Sequence, residues 1–174
     1  MFLRPGEIVQ YLRDKKYILQ GMKGADFGCG TGYFTALLSQ AVGHSGKIYA
    51  FDIDDEVLKS AQEFVDQFAL RNIKFLHQDL EINSGLEKKI LDFVFVSQVL
   101  YQSDEPQKII SEAKRVLKDK GFLIVLEPQQ ENSLFAGQRV YNLQDVANLM
   151  EKEGFNIIDI NQTRDYYLVV GQNE

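Results

Sequence analysis

The stretch GADFGCGTGYFT, residues 24–35, constrains this chain more than any other. It sets one acid and three glycines on alternate positions, Asp26, Gly28, Gly30 and Gly32. A helix-period pattern of Phe34, Leu37, Leu38 and Ala41 follows at once. Glycines at that density let a strand turn sharply into a helix, and let a ligand approach bare backbone. The helix start also leaves N–H groups without intrahelical partners, suited to a carboxylate or phosphate. An ordinary glycine-rich strand-to-helix turn would account for one glycine pair, whereas D-x-G-x-G-x-G opening a helix points to a ligand loop. Dinucleotide loops use G-x-G-x-x-G, which needs glycine at position 33, and this chain has Tyr33 there.

Around that loop, strand and helix patterns alternate. Pro5 to about Tyr17 reads as a helix, with Pro5 at its first position and Ile8, Val9 and Leu12 at helical spacing. A short strand, weakened by Gly24, leads into the loop. GHSG (43–46) turns the chain into a second strand, KIYAFD (47–52). A helix over about 54–70 is expected to turn Val57, Ala61, Phe64, Val65 and Phe68 inward. NIKFLHQD (72–79) is a third strand, and 80–89 holds at most a single helical turn. LDFVFVS (91–97) is a near-continuous apolar run, as expected of a central parallel strand covered on both faces. A helix over about 105–117 and a KDKG turn lead to a fifth strand at 121–128. A polar loop (128–140), a helix capped by Asn142 and two strands, FNIIDIN and DYYLVVG, complete the chain, with a tight turn near Thr163–Arg164. This alternation predicts one α/β domain over residues 1–174, a parallel sheet with one antiparallel strand.

Composition limits the function classes. At 174 residues with a net charge of −6, the chain suits one domain and is a poor match for a phosphate-backbone partner, so nucleic acid is disfavoured. Its one candidate basic cluster, Arg4, Arg13, Lys15 and Lys16, reads as a solvated helix face. Cys29 is the single cysteine, so no internal disulfide forms, which suits a reducing compartment. Neither a signal-peptide pattern nor an apolar run of membrane-spanning length occurs, and a cytoplasmic location is expected. No metal site is expected.

The glycine loop resembles motif I of the class I S-adenosylmethionine-dependent methyltransferases. SQVLYQSDEP and IISEAKRVLKDKG resemble the "VLHH…RVLKPGG" stretch of the branch that includes quinone-biosynthesis and other small-molecule enzymes. The resemblance spans about Arg4 to Glu127 closely and the last two strands more loosely. It implies a Rossmann-like three-layer sandwich with a seven-stranded, mostly parallel sheet of order 3-2-1-4-5-7-6, the last strand antiparallel. It also implies S-adenosyl-L-methionine as cofactor, its methionine part held by the loop of Asp26, Gly28, Cys29, Gly30 and Gly32. Asp52, at the end of the second strand, is placed to accept both ribose hydroxyls, since Asp54 or Asp55 suits the helix cap better. Asp52 is expected in the open cleft, with little bearing on stability. Ile53 then lies against the adenine, Asp79 accepts from its amino group, Leu80 packs on the ring, and Ser97 closes the fourth strand beside them. Two departures bear on the acceptor: Tyr101 stands where the family often has a histidine, and Lys118–Gly121 replaces K-P-G-G. The chain also lacks the Asn/Asp-Pro-Pro-Tyr tetrapeptide of one large group of nucleic-acid methyltransferases.

A sulfonium methyl is already electrophilic, so the enzyme needs mainly to hold a nucleophile in line with the C–S bond. No nucleophilic side chain is required. Should a proton have to leave, Tyr101, His77 and Glu127 are the candidates on the expected substrate edge, with His77 favoured as a structural histidine. Cys29 reads as packing. The short N-terminal helix and the single loop 128–140 offer little cover, so the loop is expected to be mobile and the site open. An open site suits a large acceptor, or a partner subunit or second copy that closes it. The alternative function is a non-catalytic cofactor-binding or regulatory subunit of the same fold.

Overall fold

In the computed structural model, residues 4–129 and 140–174 are described. The near-continuous apolar run LDFVFVS becomes the middle of the sheet. Phe93, Val94, Phe95 and Val96 are wholly buried within β4 (Leu91–Ser97), which is covered on both faces. Around it lie β1 (Lys23–Phe27), β2 (Lys47–Asp52), β3 (Ile73–His77), β5 (Leu117–Pro128), β6 (Phe155–Gln162) and β7 (Tyr166–Asn173). Their order is β3-β2-β1-β4-β5-β7-β6, parallel from β3 to β5, with β7 antiparallel to both β5 and β6. The expected strand order therefore holds. Parallel pairing brings the carboxyl ends of β1 to β4 to one sheet edge, where an α/β fold places its ligands.

Among the described residues, five helices cover the sheet: α1 (Pro5–Asp14), α2 (Tyr33–Val42), α3 (Asp55–Asp66), α4 (Pro106–Val116) and α5 (Leu143–Lys152). Leu12 of α1 and Leu38 of α2 share one cluster with Ile48, Phe93 and Phe95, while Ala50 packs with Leu58 and Ala61 of α3. Strand alternation puts Ile48 and Ala50 on the same side, so α1, α2 and α3 cover that face. On the other, Ile110 and Val116 of α4 and Val146 and Met150 of α5 pack with Val94, Val96 and Val125. The cap expected at Asn142 is a capping box with Asp145. Thr163 closes the β6–β7 hairpin by donating its N–H to Tyr166 O at 2.8 Å.

Several local expectations need correction. Gly24 is not a soft spot. A Cβ there would fall 2.1 Å from the Phe93 ring, so the missing side chain admits a core phenylalanine whose burial is worth about 2–3 kcal/mol. The helix α1 stops at Asp14 instead of Tyr17. Likewise α3 stops at Asp66, and Ala69 takes a left-handed φ of 53° just beyond. Phe68 is consequently 48 % exposed instead of inward, and Leu58, Ala61 and Val65 form the buried stripe. The KDKG segment does not separate α4 from a later strand. Leu117 already pairs with Leu91, Phe122 pairs with Phe93, and the residues between bulge out of register around Lys120 at φ 65°. The loop expected over 128–140, and its expected mobility, fall largely on residues 130–139, outside the described residues.

Candidate active site

The loop after β1 is held by backbone. Gly28 and Cys29 both donate their N–H groups to Phe51 O of β2, at 2.9 and 2.7 Å. Gly30 has a left-handed φ of 51°, and no atom lies within 4 Å of where its Cβ would stand, so bare backbone faces the cleft. Gly32 has φ 79°, and a Cβ there would come within 3.1 Å of Ala61 O, so glycine lets α3 close on the start of α2. The alternate spacing thus serves both ligand approach and helix packing.

Two carboxylates flank this loop. Asp26, only 1 % exposed, accepts the Thr35 hydroxyl of α2 at 2.6 Å. Burial pushes its carboxyl up to about 7; Thr35 opposes that shift, and the charge of Asp52 adds to it. Cys29 is likewise pushed upward, first by burial and then by Asp26 and Asp52, so its thiol stays protonated and inert. Asp52 accepts the Gly30 N–H at 3.0 Å and the Asp54 N–H at 3.1 Å. It does not cap α3; Asp54 does, accepting from Glu56 N and Val57 N. The two backbone bonds correct the expectation that Asp52 leaves stability untouched: it ties the glycine loop to the β2–α3 turn.

Further along the edge, Asp79 accepts the Glu81 N–H at 2.9 Å, and its carbonyl receives Ile82 N and Asn83 N in a single turn. Ile53 stands 65 % exposed as an apolar ledge, while Leu80 is buried. The opposite wall follows β4. Gln98 adopts φ 58°, uncommon for a residue with a side chain, and a 3-10 turn, Leu100–Gln102, follows. Glu81 Oε1 reaches across to accept Ser103 Oγ and the N–H groups of Asp104 and Glu105, capping α4 from another loop.

These walls enclose a cleft of about 620 Å³. Asp26, Gly28, Cys29, Gly30, Asp52, Ile53, Asp79, Leu80, Ser97 and Tyr101 all line it, so most of the residues singled out in the sequence come together. Gly32, His77 and Glu127 do not line it. Gly32 is spent on α3, and His77 Nε2 donates to Ile53 O at 2.8 Å, which makes it a strut of the β2–α3 turn. Glu127 is wholly buried beneath the wall, with Val99 N and Leu100 N donating to its Oε1. Neither His77 nor Glu127 occupies the substrate edge expected of it. Sequence reasoning missed Tyr33, Gln98, Val99, Gln102 and Ser103 as lining residues. Tyr33 carried a signal through its place in the loop, and the other four through the stretch SQVLYQSDEP, in which the sequence singled out Ser97 and Tyr101 alone.

The charge of the cleft is one-sided. Asp26, Asp52, Asp54, Asp79 and Glu81 line it, and among the described residues no lysine, arginine or histidine does. Such a site suits a cationic ligand with hydroxyls and an exposed flat ring, and is ill-suited to a pyrophosphate. The buried Asp26 carboxyl beside the loop, the bare Gly30 backbone and the Ile53 ledge fit the ammonium, sulfonium, ribose and adenine of S-adenosylmethionine.

A family model described as "Methyltransferase domain" matches residues 18–170. The demethylmenaquinone methyltransferase of Geobacillus stearothermophilus is 29% identical over 124 residues, which cover 71% of this chain and 52% of that protein. The ribosomal protein L11 methyltransferase of Dictyoglomus thermophilum is 28% identical over 160 residues, covering 92% of this chain and 47% of that one. The chain therefore spans about half the length of these curated relatives. Among solved structures, a SAM-dependent methyltransferase from Aquifex aeolicus superposes with a TM-score of 0.85 at 24% identity, covering 99% of this chain and 100% of that one. That likeness establishes the fold. With the family model matched across the glycine loop, both faces of the sheet and the closing hairpin, the chain belongs to the methyltransferase-domain family.

Proposed function

We propose that this chain transfers a methyl group from S-adenosylmethionine to an acceptor seated at the carboxyl edge of the sheet. The acidic, cation-free lining of the cleft carries the reading. Asp26 and the Gly28–Gly30 backbone would hold the methionine part, Asp52 the ribose hydroxyls and Asp79 the adenine amino group. Ile53 and Leu80 would sandwich the ring. When bound, the cofactor supplies an electrophilic methyl on a positively charged sulfur.

The chain's own part is positioning and exclusion of water. The wall of Ser97 to Ser103 faces the glycine loop across the cleft and is the surface against which an acceptor would be oriented. Tyr101 is its polar aromatic. Burial, then the charges of Glu127 and Tyr166, push the Tyr101 phenol upward, so near neutral pH it serves as a hydrogen-bond donor and not as a base. Among the described residues no histidine lines the cleft, and an acceptor whose nucleophile is already available, such as an ionised hydroxyl, activated carbon or free amine, suits it best.

Calorimetry tests the cofactor reading. S-adenosylmethionine and S-adenosylhomocysteine should bind and NAD should not. Tight NAD binding without response to either sulfur ligand would overturn it. An acceptor screen with methyl-labelled cofactor then separates an enzyme from a cofactor-binding subunit. Given the names of its relatives, it starts with demethylmenaquinone and with ribosomal protein L11.

A further inference from the structure

Glu127 is the most deeply buried acid at the sheet edge, and the mechanism above does not use it. It ends the hydrophobic run of β5 and is 0 % exposed. Its Oε1 takes two backbone N–H groups, Val99 at 2.9 Å and Leu100 at 2.8 Å, and its Oε2 has no hydrogen-bond partner among the described residues. A buried carboxylate normally accumulates partners on both oxygens, so a half-satisfied one marks a group retained for what it holds. What it holds is the turn after β4. That turn starts at Gln98, strained at φ 58°, whose N–H goes to Leu126 O at 2.8 Å and whose carbonyl takes Gln102 Nε2 at 2.6 Å. It continues through Val99, whose side chain fills the space a Gly28 Cβ would need, at 2.3 Å. A strained backbone persists where its surroundings over-determine it, and Glu127 fixes the two amides that follow the strained residue.

We propose that Glu127 is a positioning residue: its buried carboxyl clamps Val99 and Leu100 and so fixes the wall that presents Gln98, Tyr101 and Gln102 to the cleft and packs Val99 on the glycine loop. Calling that wall part of a cofactor and acceptor site rests on the function proposed above; the clamp itself does not. Among the described residues, the titratable groups that feel the charge of this carboxyl are the phenols of Tyr101, from the turn, and Tyr167, from β7. Both are pushed upward and stay neutral where Glu127 titrates. Burial pushes Glu127 up to about 7, against its backbone bonds to Leu100 and Val99.

The test uses the full chain, two variants and S-adenosylhomocysteine as probe. Glu127→Leu removes the acceptor and Glu127→Gln keeps one while removing the charge. In Glu127→Leu, amide hydrogen exchange at Val99 and Leu100 should quicken about tenfold or more while β1 and β4 amides hold. Affinity for S-adenosylhomocysteine should fall roughly three- to tenfold while thermal stability changes little in net, since two buried N–H groups lose their acceptor but a buried charge that is costly to desolvate also goes. Glu127→Gln should restore both towards the parent. A purely structural glutamate would move stability and affinity together. In the parent, the Val99 and Leu100 amide proton resonances should shift together as Glu127 ionises, well above the ordinary 4.5, and stay fixed in Glu127→Gln. That readout stands even where Glu127→Leu fails to fold. Unchanged exchange in Glu127→Leu, unchanged probe affinity, or amide resonances that ignore the titration overturns the proposal. Absence of probe binding by the parent instead sinks the cofactor reading, while exchange and resonance still decide the clamp.

Discussion

Replacing Asp26 with Asn takes away a charge and keeps the shape and the oxygen that the Thr35 hydroxyl uses. In the unfolded chain this carboxyl titrates near 3.8; in the fold, burial above all raises it to about 7. The folded state therefore holds the proton more tightly. The stability that this protonation contributes is whole below about 3.8 and is lost as pH rises through about 7. At about 1.36 kcal/mol per pH unit, the interval corresponds to at most about 4 kcal/mol by pH 8. Asn never ionises, so the variant should match its parent near pH 4 and exceed it at pH 8. For a chain of 174 residues, each kcal/mol moves Tm by roughly 2–4 °C, which sets an upward shift on the order of 5–15 °C at pH 8. Ligand binding should move the other way. If Asp26 pairs with the cofactor's ammonium, the variant loses a charge-assisted bond worth about 1.5–3 kcal/mol, and S-adenosylhomocysteine binds roughly ten- to a hundredfold more weakly. Thermal scans at pH 4, 6 and 8, with and without that ligand, measure both. A Tm difference independent of pH would refute the proton linkage. Greater stability at pH 8 with undiminished ligand affinity would show Asp26 to be a buried liability with no part in binding.

Asp52→Ala should weaken S-adenosylhomocysteine by about 1.5–3 kcal/mol in calorimetry and also cost roughly 1–2 kcal/mol in urea melts, because the Gly30 and Asp54 N–H groups lose their acceptor. Normal affinity would remove Asp52 from the binding set. Gly32→Ala places a Cβ 3.1 Å from Ala61 O at a left-handed φ of 79°, and should destabilise by about 1–3 kcal/mol; an unchanged urea midpoint would contradict the close approach of α3. Asn142→Ala breaks the α5 capping box, costing about 1 kcal/mol in the same melts. It should leave ligand affinity intact, since Asn142 is not among the residues lining the cleft.

What the sequence disclosed and what it withheld divide along a physical line. KIYAFD and LDFVFVS coincide with β2 and β4 to the residue, because each is a strand-length apolar run that ends where its polar turn begins. Asp26 and Asp52 were legible because each sits in a strand beside the glycine loop, and Asp79 because it lies just past the end of β3 at the same sheet edge, so local pattern and topology place them together. Gly24 was misread because its cause lies in Phe93, 69 residues away and visible only across the β1–β4 pair. The KDKG segment was read as a turn because its composition is that of one, and only the register against β4 shows it as a bulge. Glu81 and Glu127 carry the same lesson into the site. Glu81 caps α4 across about 22 residues, and Glu127 clamps the turn after β4 across about 27. Each satisfies backbone N–H groups that their own segment cannot: α4 opens without a side-chain cap of its own, and so does the 3-10 turn. No spacing rule announces such a partner, since the N–H groups need only an acceptor and the fold can bring one from any neighbouring loop. The wall facing the glycine loop is therefore built by acids that sequence reading assigned either no role or the wrong one.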